Sequence, residues 1–141
     1  AGCDPGPVVG GPTVEEARVP NTMEGKLTLA GEHMKEGRGA AARVVLDRAI
    51  KEHPQDPRVP EARYRIGESW LNESNWGKAV NAFQAVVDNH AKSDWAAWAM
   101  LGQGDAFTGK GETANARLFY DEVLKLYPKS EAAKEAKKRP R

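Results

Sequence analysis

Residues 64–91 read YRIGESWLNESNWGKAVNAFQAVVDNHA, and this stretch contains two helical patterns separated by a turn. Apolar residues recur at spacings of three and four on both sides of the polar segment 72–77, as they do on one face of an α-helix. The Asn, Ser and Gly residues of that segment favour turns. The stretch therefore predicts a helical hairpin whose helices span about residues 59–73 and 76–90.

The same pattern occurs before and after this stretch. A shift of 37 residues matches it to a preceding and a following copy; the matched residues are Leu29-Ala30 with Ile66-Gly67, and Leu46 with Phe83 and Tyr120. Leu101-Gly102 matches Ile66-Gly67 only after a shift of 35, so we expect a two-residue insertion near Gly109-Lys110-Gly111. Repetition at this period predicts a stack of helical hairpins that bury their apolar faces on one another.

Periodicity and helix-breaking residues predict six helices in three antiparallel hairpins, followed by a closing helix. The predicted helices span residues 22–36, 39–53, 59–73, 76–90, 94–108, 112–127 and 130–138. The three repeats cover about residues 22–57, 58–93 and 94–130. The closing helix alternates Ala with Lys and Glu, which suits a cap on the open end of the stack. No segment alternates with period two, so we predict an all-α domain over residues 21–139.

The first 20 residues predict a flexible tether. Pro and Gly are concentrated between Asp4 and Pro12, and both disfavour regular structure. Cys3 is the single cysteine, so the chain has no internal disulfide. The residues Ala1-Gly2-Cys3 resemble the end of a bacterial lipobox, in which the cysteine carries lipid. This resemblance implies a periplasmic protein that is anchored to a membrane through Cys3.

Charge is balanced over the chain, with 21 Lys and Arg against 20 Asp and Glu. Nucleic-acid binding through counterion release normally needs a basic excess, so we expect no nucleic-acid partner. Basic residues do cluster at the C-terminus: Lys134, Lys137, Lys138, Arg139 and Arg141. They complement the negative end of a helix dipole, and we expect a solvated helix end. A cytosolic binder that uses this tail is the alternative.

No group of residues has the spacing of a reaction centre. No nucleophile has a base and an orienting group nearby, and Gly102-Gln103-Gly104 lacks the strand and third glycine of a dinucleotide-binding fingerprint. His53 and His90 are repeat equivalents, about 10 Å or more apart at helix packing distances. A run of about 18 apolar residues is also missing, so no membrane-spanning helix is predicted. We therefore predict a non-catalytic protein without cofactor or metal.

The copies resemble the tetratricopeptide repeat, which has a large residue, Leu-Gly and an aromatic residue on its first helix and Ala, an aromatic residue and Pro on or after its second. The matching residues are Ile66-Gly67, Trp70, Trp76, Ala79 and Phe83 in the middle copy, and Trp98, Leu101-Gly102, Ala116, Tyr120 and Pro128 in the last. The first copy matches more weakly, at Leu29-Ala30, Ala42, Leu46 and Pro54. The resemblance implies a right-handed all-α solenoid of three hairpins with a capping helix.

A narrower similarity concerns the segments 53–57, 64–70 and 127–130. They resemble the C-terminal repeat domain of the periplasmic tetratricopeptide protein that works with the Tol–Pal system. Envelope lipoproteins that contain such repeats have a similar sequence pattern. The heptad region that precedes the repeats in that Tol–Pal protein is missing from this sequence.

The resemblance also implies that the first helix of each hairpin lines a concave groove. The residues at the usual groove positions are Leu27, Met34, Lys35, Tyr64, Glu68, Leu71, Asn72, Ala99, Gln103, Ala106 and Phe107. Their apolar, aromatic and amide groups suit a peptide or a partner helix better than a polyanion. We predict a non-catalytic adaptor of the cell envelope that docks a protein partner in this groove. The alternative is an architectural subunit of a larger envelope complex that buries its convex face.

Overall fold

Polar side chains at the helix starts accept hydrogen bonds from the first helical turns. Thr22 Oγ1 accepts from the Gly25 N–H at 3.0 Å. Asn75, Ser93 and Ser130 do the same for three later helices. These bonds satisfy backbone donors that a helix N-terminus leaves without an intrahelical partner, so they define where the helices begin.

The computed structural model describes residues 19–140, which contain helices and no strand. The helices are α1 (Met23–Lys35), α2 (Gly39–Glu52), α3 (Val59–Asn72), α4 (Trp76–Asn89), α5 (Asp94–Gly109), α6 (Thr113–Leu126) and α7 (Glu131–Lys138). The all-α prediction is confirmed, and every predicted helix end lies within one residue of the observed end. Among these residues, no helix is long and apolar enough to cross a membrane. The lipidation prediction for Cys3 lies outside the described residues.

The repeat has a constant period of 37 residues. The second helices of the hairpins, α2, α4 and α6, begin at Gly39, Trp76 and Thr113, and the first helices end at Lys35, Asn72 and Gly109. The turn between the helices of each hairpin contains one residue with positive φ, and these are Gly37 (74°), Ser74 (59°) and Gly111 (85°). The predicted insertion near Gly109-Lys110-Gly111 is therefore wrong.

The error has a structural cause on α5, which carries two glycines close together. Gly104, not Gly102, is the counterpart of Gly67, because a Cβ on Gly104 would overlap the Tyr120 ring as a Cβ on Gly67 would overlap the Phe83 ring. Instead of an insertion, the linker before α5 is shorter than the linker before α3, and α5 begins two residues earlier in the repeat.

Successive hairpins stack unevenly. α3 packs against α5, and α5 packs against α7, whereas α1 makes no comparable contact with α3. The Phe83 ring explains the close α3–α5 pair, since it lies between Gly67 on α3 and Gly102 on α5. A Cβ on these glycines would come within 2.5 Å and 2.6 Å of the ring. Two missing side chains thus admit one buried aromatic ring between neighbouring helices.

The closing helix α7 covers the end of the stack. Ala132, Ala133 and Ala136 are buried against α5 and α6. Arg139, just after α7, donates to Asp105 Oδ1 at 2.8 Å and to Oδ2 at 3.0 Å. This two-point contact ties the cap to α5, so Arg139 is not the solvated tail residue that the sequence predicts.

In two of the three hairpins, the residue that follows the second helix forms a hydrogen bond that closes the open end of the hairpin. His53 Nε2 lies 2.8 Å from Asn21 O after α2, and the Tyr127 hydroxyl donates to Ala91 O at 2.8 Å after α6. His90 occupies the same position after α4, but its buried Nε2 has no hydrogen-bond partner within residues 19–140. The middle hairpin therefore lacks a bond that both of its neighbours have.

Candidate partner-binding groove

An open groove lies between α1 and α3, where the two helices are not packed together. Its volume is about 690 Å³. The lining residues are Leu27, Thr28, Gly31, Glu32, Met34 and Lys35 from α1, and Glu61, Arg65, Glu68 and Asn72 from α3. Leu27, Gly31 and Met34 follow the i, i+4, i+7 spacing of one helix face. The groove therefore has an apolar strip along α1, bordered by Thr28, Glu32 and Lys35, and a charged wall on α3.

Arg65 organises the charged wall. Its guanidinium donates to Glu61 Oε2 and to Glu68 Oε1, each at 3.2 Å, and lies 5.7 Å from the centre of the Trp95 ring. Partial burial opposes the positive charge, but the two carboxylates outweigh burial and the pKa of Arg65 is raised. Arg65 is thus a cation whose position is fixed and whose charge is already compensated.

The groove continues past Thr28 and Glu32 into a shallower depression at the N-terminal end of α1, with a volume of about 430 Å³. Glu24 and Glu32 are the charged residues that line this depression. Neither carboxylate has a hydrogen bond or an ion pair within the part of the chain that the structure describes. A hydrogen bond to Asp56 and, to a smaller extent, an electrostatic interaction with Glu24 raise the pKa of the Arg58 guanidinium. Two carboxylates without a direct ion pair to any described residue therefore lie along α1.

The structure brings five predicted groove residues together. They are Leu27, Met34, Lys35, Glu68 and Asn72, from two helices that are separate in sequence. Leu27 and Met34 are half-buried, while Lys35 and Asn72 are exposed. This half of the predicted set therefore forms one continuous surface.

Two other predicted residues on α3 turn away from the groove. Leu71 packs with the cluster of buried residues around α4. The Tyr64 ring centre lies 5.5 Å from that of Phe83 and 5.1 Å from that of Trp95. Burial, with a smaller contribution from the Glu68 carboxylate, raises the pKa of Tyr64 to about 12. Both side chains therefore hold repeats together and do not line the groove.

The predicted residues on α5 are not groove residues either. Ala99, Gln103 and Ala106 are buried. Gln103 Nε2 donates to Val80 O at 3.2 Å and to Gln84 Oε1 at 2.8 Å. The reason is that α5 is covered by α3, α4, α6 and α7, which leaves it no open concave face.

Phe107 lies near the C-terminal end of α5. Its half-buried ring stacks on Phe119 with 5.1 Å between ring centres. Lys110 Nζ lies 5.7 Å from the centre of the Phe107 ring. Phe107 therefore packs inside the third hairpin, away from the groove between α1 and α3.

Sequence reasoning missed five residues that line the groove: Thr28, Gly31, Glu32, Glu61 and Arg65. A constant 37-residue period pairs Arg65 on α3 with Gly102 on α5. This difference in side-chain size would have indicated Arg65 as a groove residue. Gly102 admits the Phe83 ring, whereas Arg65 places a long side chain in the groove. The shift of 35 that was inferred from Leu101-Gly102 hides this correspondence.

The sequence matches the family model described as "Tetratricopeptide repeat" over residues 27–94 and again over residues 71–131. This chain belongs to the tetratricopeptide-repeat family. Members of this family are generally scaffolds for protein–protein interaction, and their domains bind protein partners such as peptides. No curated protein matches the sequence.

One similar solved structure is the N-terminal domain of stress-induced protein-1 (STI-1) from C. elegans. It has a TM-score of 0.66 and 18% sequence identity, and the match covers 82% of this chain and 92% of that domain. At this identity the similarity shows the fold alone, and it supports the tetratricopeptide-repeat solenoid.

Three of the basic residues after the tetratricopeptide repeats, Lys134, Lys138 and Arg139, pair with carboxylates. Lys134 donates to Glu131 at 3.0 Å and Lys138 donates to Glu135 at 3.2 Å, both on the exposed side of α7. Arg141 lies outside the described residues. Within residues 19–140, no three His, Cys, Asp or Glu side chains are grouped as a metal site.

Proposed function

We propose that this tetratricopeptide-repeat chain is a non-catalytic adaptor that docks a segment of a protein partner in the groove between α1 and α3. The observation that carries the proposal is the groove itself, which has an apolar strip on α1 with Gly31 at its centre and a charged wall on α3 opposite. A groove of this size and chemistry suits a peptide segment, which needs apolar contacts and a few oriented polar groups.

Gly31 allows the groove to be filled without disturbing the fold. A Cβ at Gly31 meets no atom within 4 Å, and the same is true of Gly77 on α4, which does not line the groove. Gly31→Phe should place a ring in the groove, whereas Gly77→Phe is the matched control on another helix. Both variants should unfold near the wild-type denaturant concentration.

The test is capture of partners from the source organism by wild type and by both variants. Loss of a captured protein with Gly31→Phe, and its retention with Gly77→Phe, is the expected result. Capture that survives Gly31→Phe would exclude this groove as the docking site.

The convex face is a second candidate surface. Val44 on α2 and Leu118 on α6 occupy the same repeat position, and each is 62% exposed. Large apolar side chains that recur on one outer face suit the burial of that face in a larger assembly. Loss of capture with Val44→Ser and Leu118→Ser together, combined with retention in Gly31→Phe, would assign docking to this face.

For the cellular location we propose the bacterial envelope, with attachment through a lipid on Cys3. The support is sequence alone: Ala1-Gly2-Cys3, the Pro- and Gly-rich tether, and the similarity of segments 53–57, 64–70 and 127–130 to the Tol–Pal-associated repeat domain. Mass spectrometry of the native protein should find a lipidated cysteine at its N-terminus. Unmodified Ala1 in membrane-derived protein would contradict the anchor.

A further inference from the structure

The charges around the groove differ from those of the whole chain. Its lining and the adjoining depression contain four carboxylates and two cations; the carboxylates are Glu24, Glu32, Glu61 and Glu68, and the cations are Lys35 and Arg65. The chain as a whole has a formal net charge of +1. A negative surface on a nearly neutral protein favours a partner of opposite charge.

Arg65 offers little attraction to an anionic partner. Both Glu61 and Glu68 already accept hydrogen bonds from its guanidinium, so a third carboxylate would have to displace one of them. Glu24 and Glu32, in contrast, have no ion pair among residues 19–140. A cation can therefore pair with Glu32 without displacing another cation, and with Glu24 alongside its electrostatic interaction with Arg58. An anion is repelled by both carboxylates.

An apolar side chain has a defined place beside these charges. Leu27 and Met34 flank Gly31 on one face of α1, and the missing side chain of Gly31 opens the space between them. Glu32 follows Gly31 directly. An apolar side chain seated at Gly31 would therefore place neighbouring residues of the same segment beside Glu32.

We propose that the groove selects basic segments, in which one apolar side chain seats at Gly31 and a flanking lysine or arginine pairs with Glu32 or Glu24. This inference rests on groove docking, which is proposed above, and it adds the chemical class of the partner. Direct pairing with exposed carboxylates weakens as salt screens the charges.

The test uses the full chain and three pools of short labelled peptides. Each pool has a central leucine in an otherwise random sequence, and the flanking positions are lysine, glutamine or glutamate. We expect the lysine pool to bind roughly tenfold tighter than the glutamate pool at low salt, with a smaller difference at high salt. Gly31→Phe should abolish binding of the lysine pool.

A charge reversal in the groove has a matched control outside it. Glu32→Lys should remove the preference for the lysine pool, while Glu122→Lys on α6, which changes the net charge equally, should leave the preference unchanged. Equal loss in both variants would mean that binding follows net charge alone, and would overturn the inference.

Other outcomes separate this inference from groove docking. Glutamate or glutamine peptides that bind as tightly as lysine peptides, and that Gly31→Phe excludes, would overturn charge selection while supporting the groove. Failure of every pool to bind would overturn the inference, and partner capture would then decide on the groove independently. The chain could also associate with itself, and Glu32→Lys could abolish that association. The occupant would then be the basic C-terminal segment of a second copy, and the inference of a separate partner would be overturned.

Discussion

The two joints between successive repeats differ in what lies between their first helices. At the joint of α3 and α5, the Phe83 ring is enclosed by Gly67 and Gly102, and the helices pack closely. At the joint of α1 and α3, the counterpart of Phe83 is the smaller Leu46 and the counterpart of Gly102 is Arg65. There the helices stay apart and enclose a groove of about 690 Å³. The comparison shows that one repeat pattern builds both a closed joint and an open one, according to a few side chains.

The largest expected effect tests the closed joint. Phe83 is fully buried, so Phe83→Ala should lower the free energy of unfolding by about 3–5 kcal/mol, through lost burial and the cavity left behind. Leu46→Ala at the open joint should fall at the lower end of the range for such truncations, about 2–3 kcal/mol. Urea denaturation measures both. A larger cost for Leu46→Ala than for Phe83→Ala would contradict the comparison.

The next effect reverses sign between the joints. Gly102→Ala should destabilise the protein by about 1–3 kcal/mol, because its Cβ would press into the Phe83 ring. Gly31→Ala should stabilise the protein by about 0.5–1 kcal/mol, because alanine favours the helix and the Cβ projects into open space. Denaturant unfolding of the two variants gives the sign directly. Stability changes of the same sign would contradict the comparison, because they would mean that the two glycines are equally free or equally crowded.

A smaller effect concerns the turn of the middle hairpin, which belongs to both joints. Ser74 has a φ of 59°, where its counterparts Gly37 and Gly111 are glycine. Ser74→Gly should stabilise the protein by about 1 kcal/mol, since a side chain is strained in this left-handed region. Gly111→Ser should cost a similar amount. Thermal unfolding of both variants checks the prediction, and an unchanged or lower melting temperature for Ser74→Gly would contradict it.

The smallest effect depends on pH and concerns the open end of the middle hairpin. Burial, with a further contribution from the Arg63 charge, lowers the pKa of His90 below its ordinary value. The unfolded chain therefore binds a proton more readily than the folded chain. His90 contributes stability above its ordinary pKa of about 6.5, and this stability is lost as the pH falls toward the folded pKa.

His90→Tyr removes this dependence, because tyrosine stays neutral over the same range and is the residue at the equivalent position Tyr127. Urea unfolding at neutral pH and at pH of about 5 should show a smaller loss of stability for the variant than for wild type. An identical loss in both proteins would assign the acid sensitivity to other groups.

Local patterns were sufficient for the helices. Four of the seven helices in residues 19–140 begin at a polar residue whose side chain accepts a hydrogen bond from the first turn, namely Thr22, Asn75, Ser93 and Ser130. Apolar residues at spacings of three and four then give each helix its buried face. Because these effects act within a few residues, they can be recognised without knowledge of the tertiary structure.

The groove was only half predictable. Leu27, Met34 and Glu68 were recognised because they occupy the first helices of hairpins, as a repeat pattern requires. Gln103 occupies a first helix too, but it is buried and donates hydrogen bonds to Val80 and Gln84 on α4. Whether a first helix has an open face depends on its neighbours in space, which a repeat pattern does not specify.

The amino-acid sequence by itself determined an array of three helical hairpins with a closing helix, because helix periodicity, caps and repeats are encoded in nearby residues. Only the tertiary structure decided where the array is open. Phe83, Gly67 and Gly102 close one joint through contacts between distant positions. At the open joint, Arg65 pairs with Glu61 and Glu68 on its own helix, and no aromatic ring of the described residues draws α1 and α3 together. Packing between helices depends on the shapes and charges that meet there, and those meet only when the chain is folded.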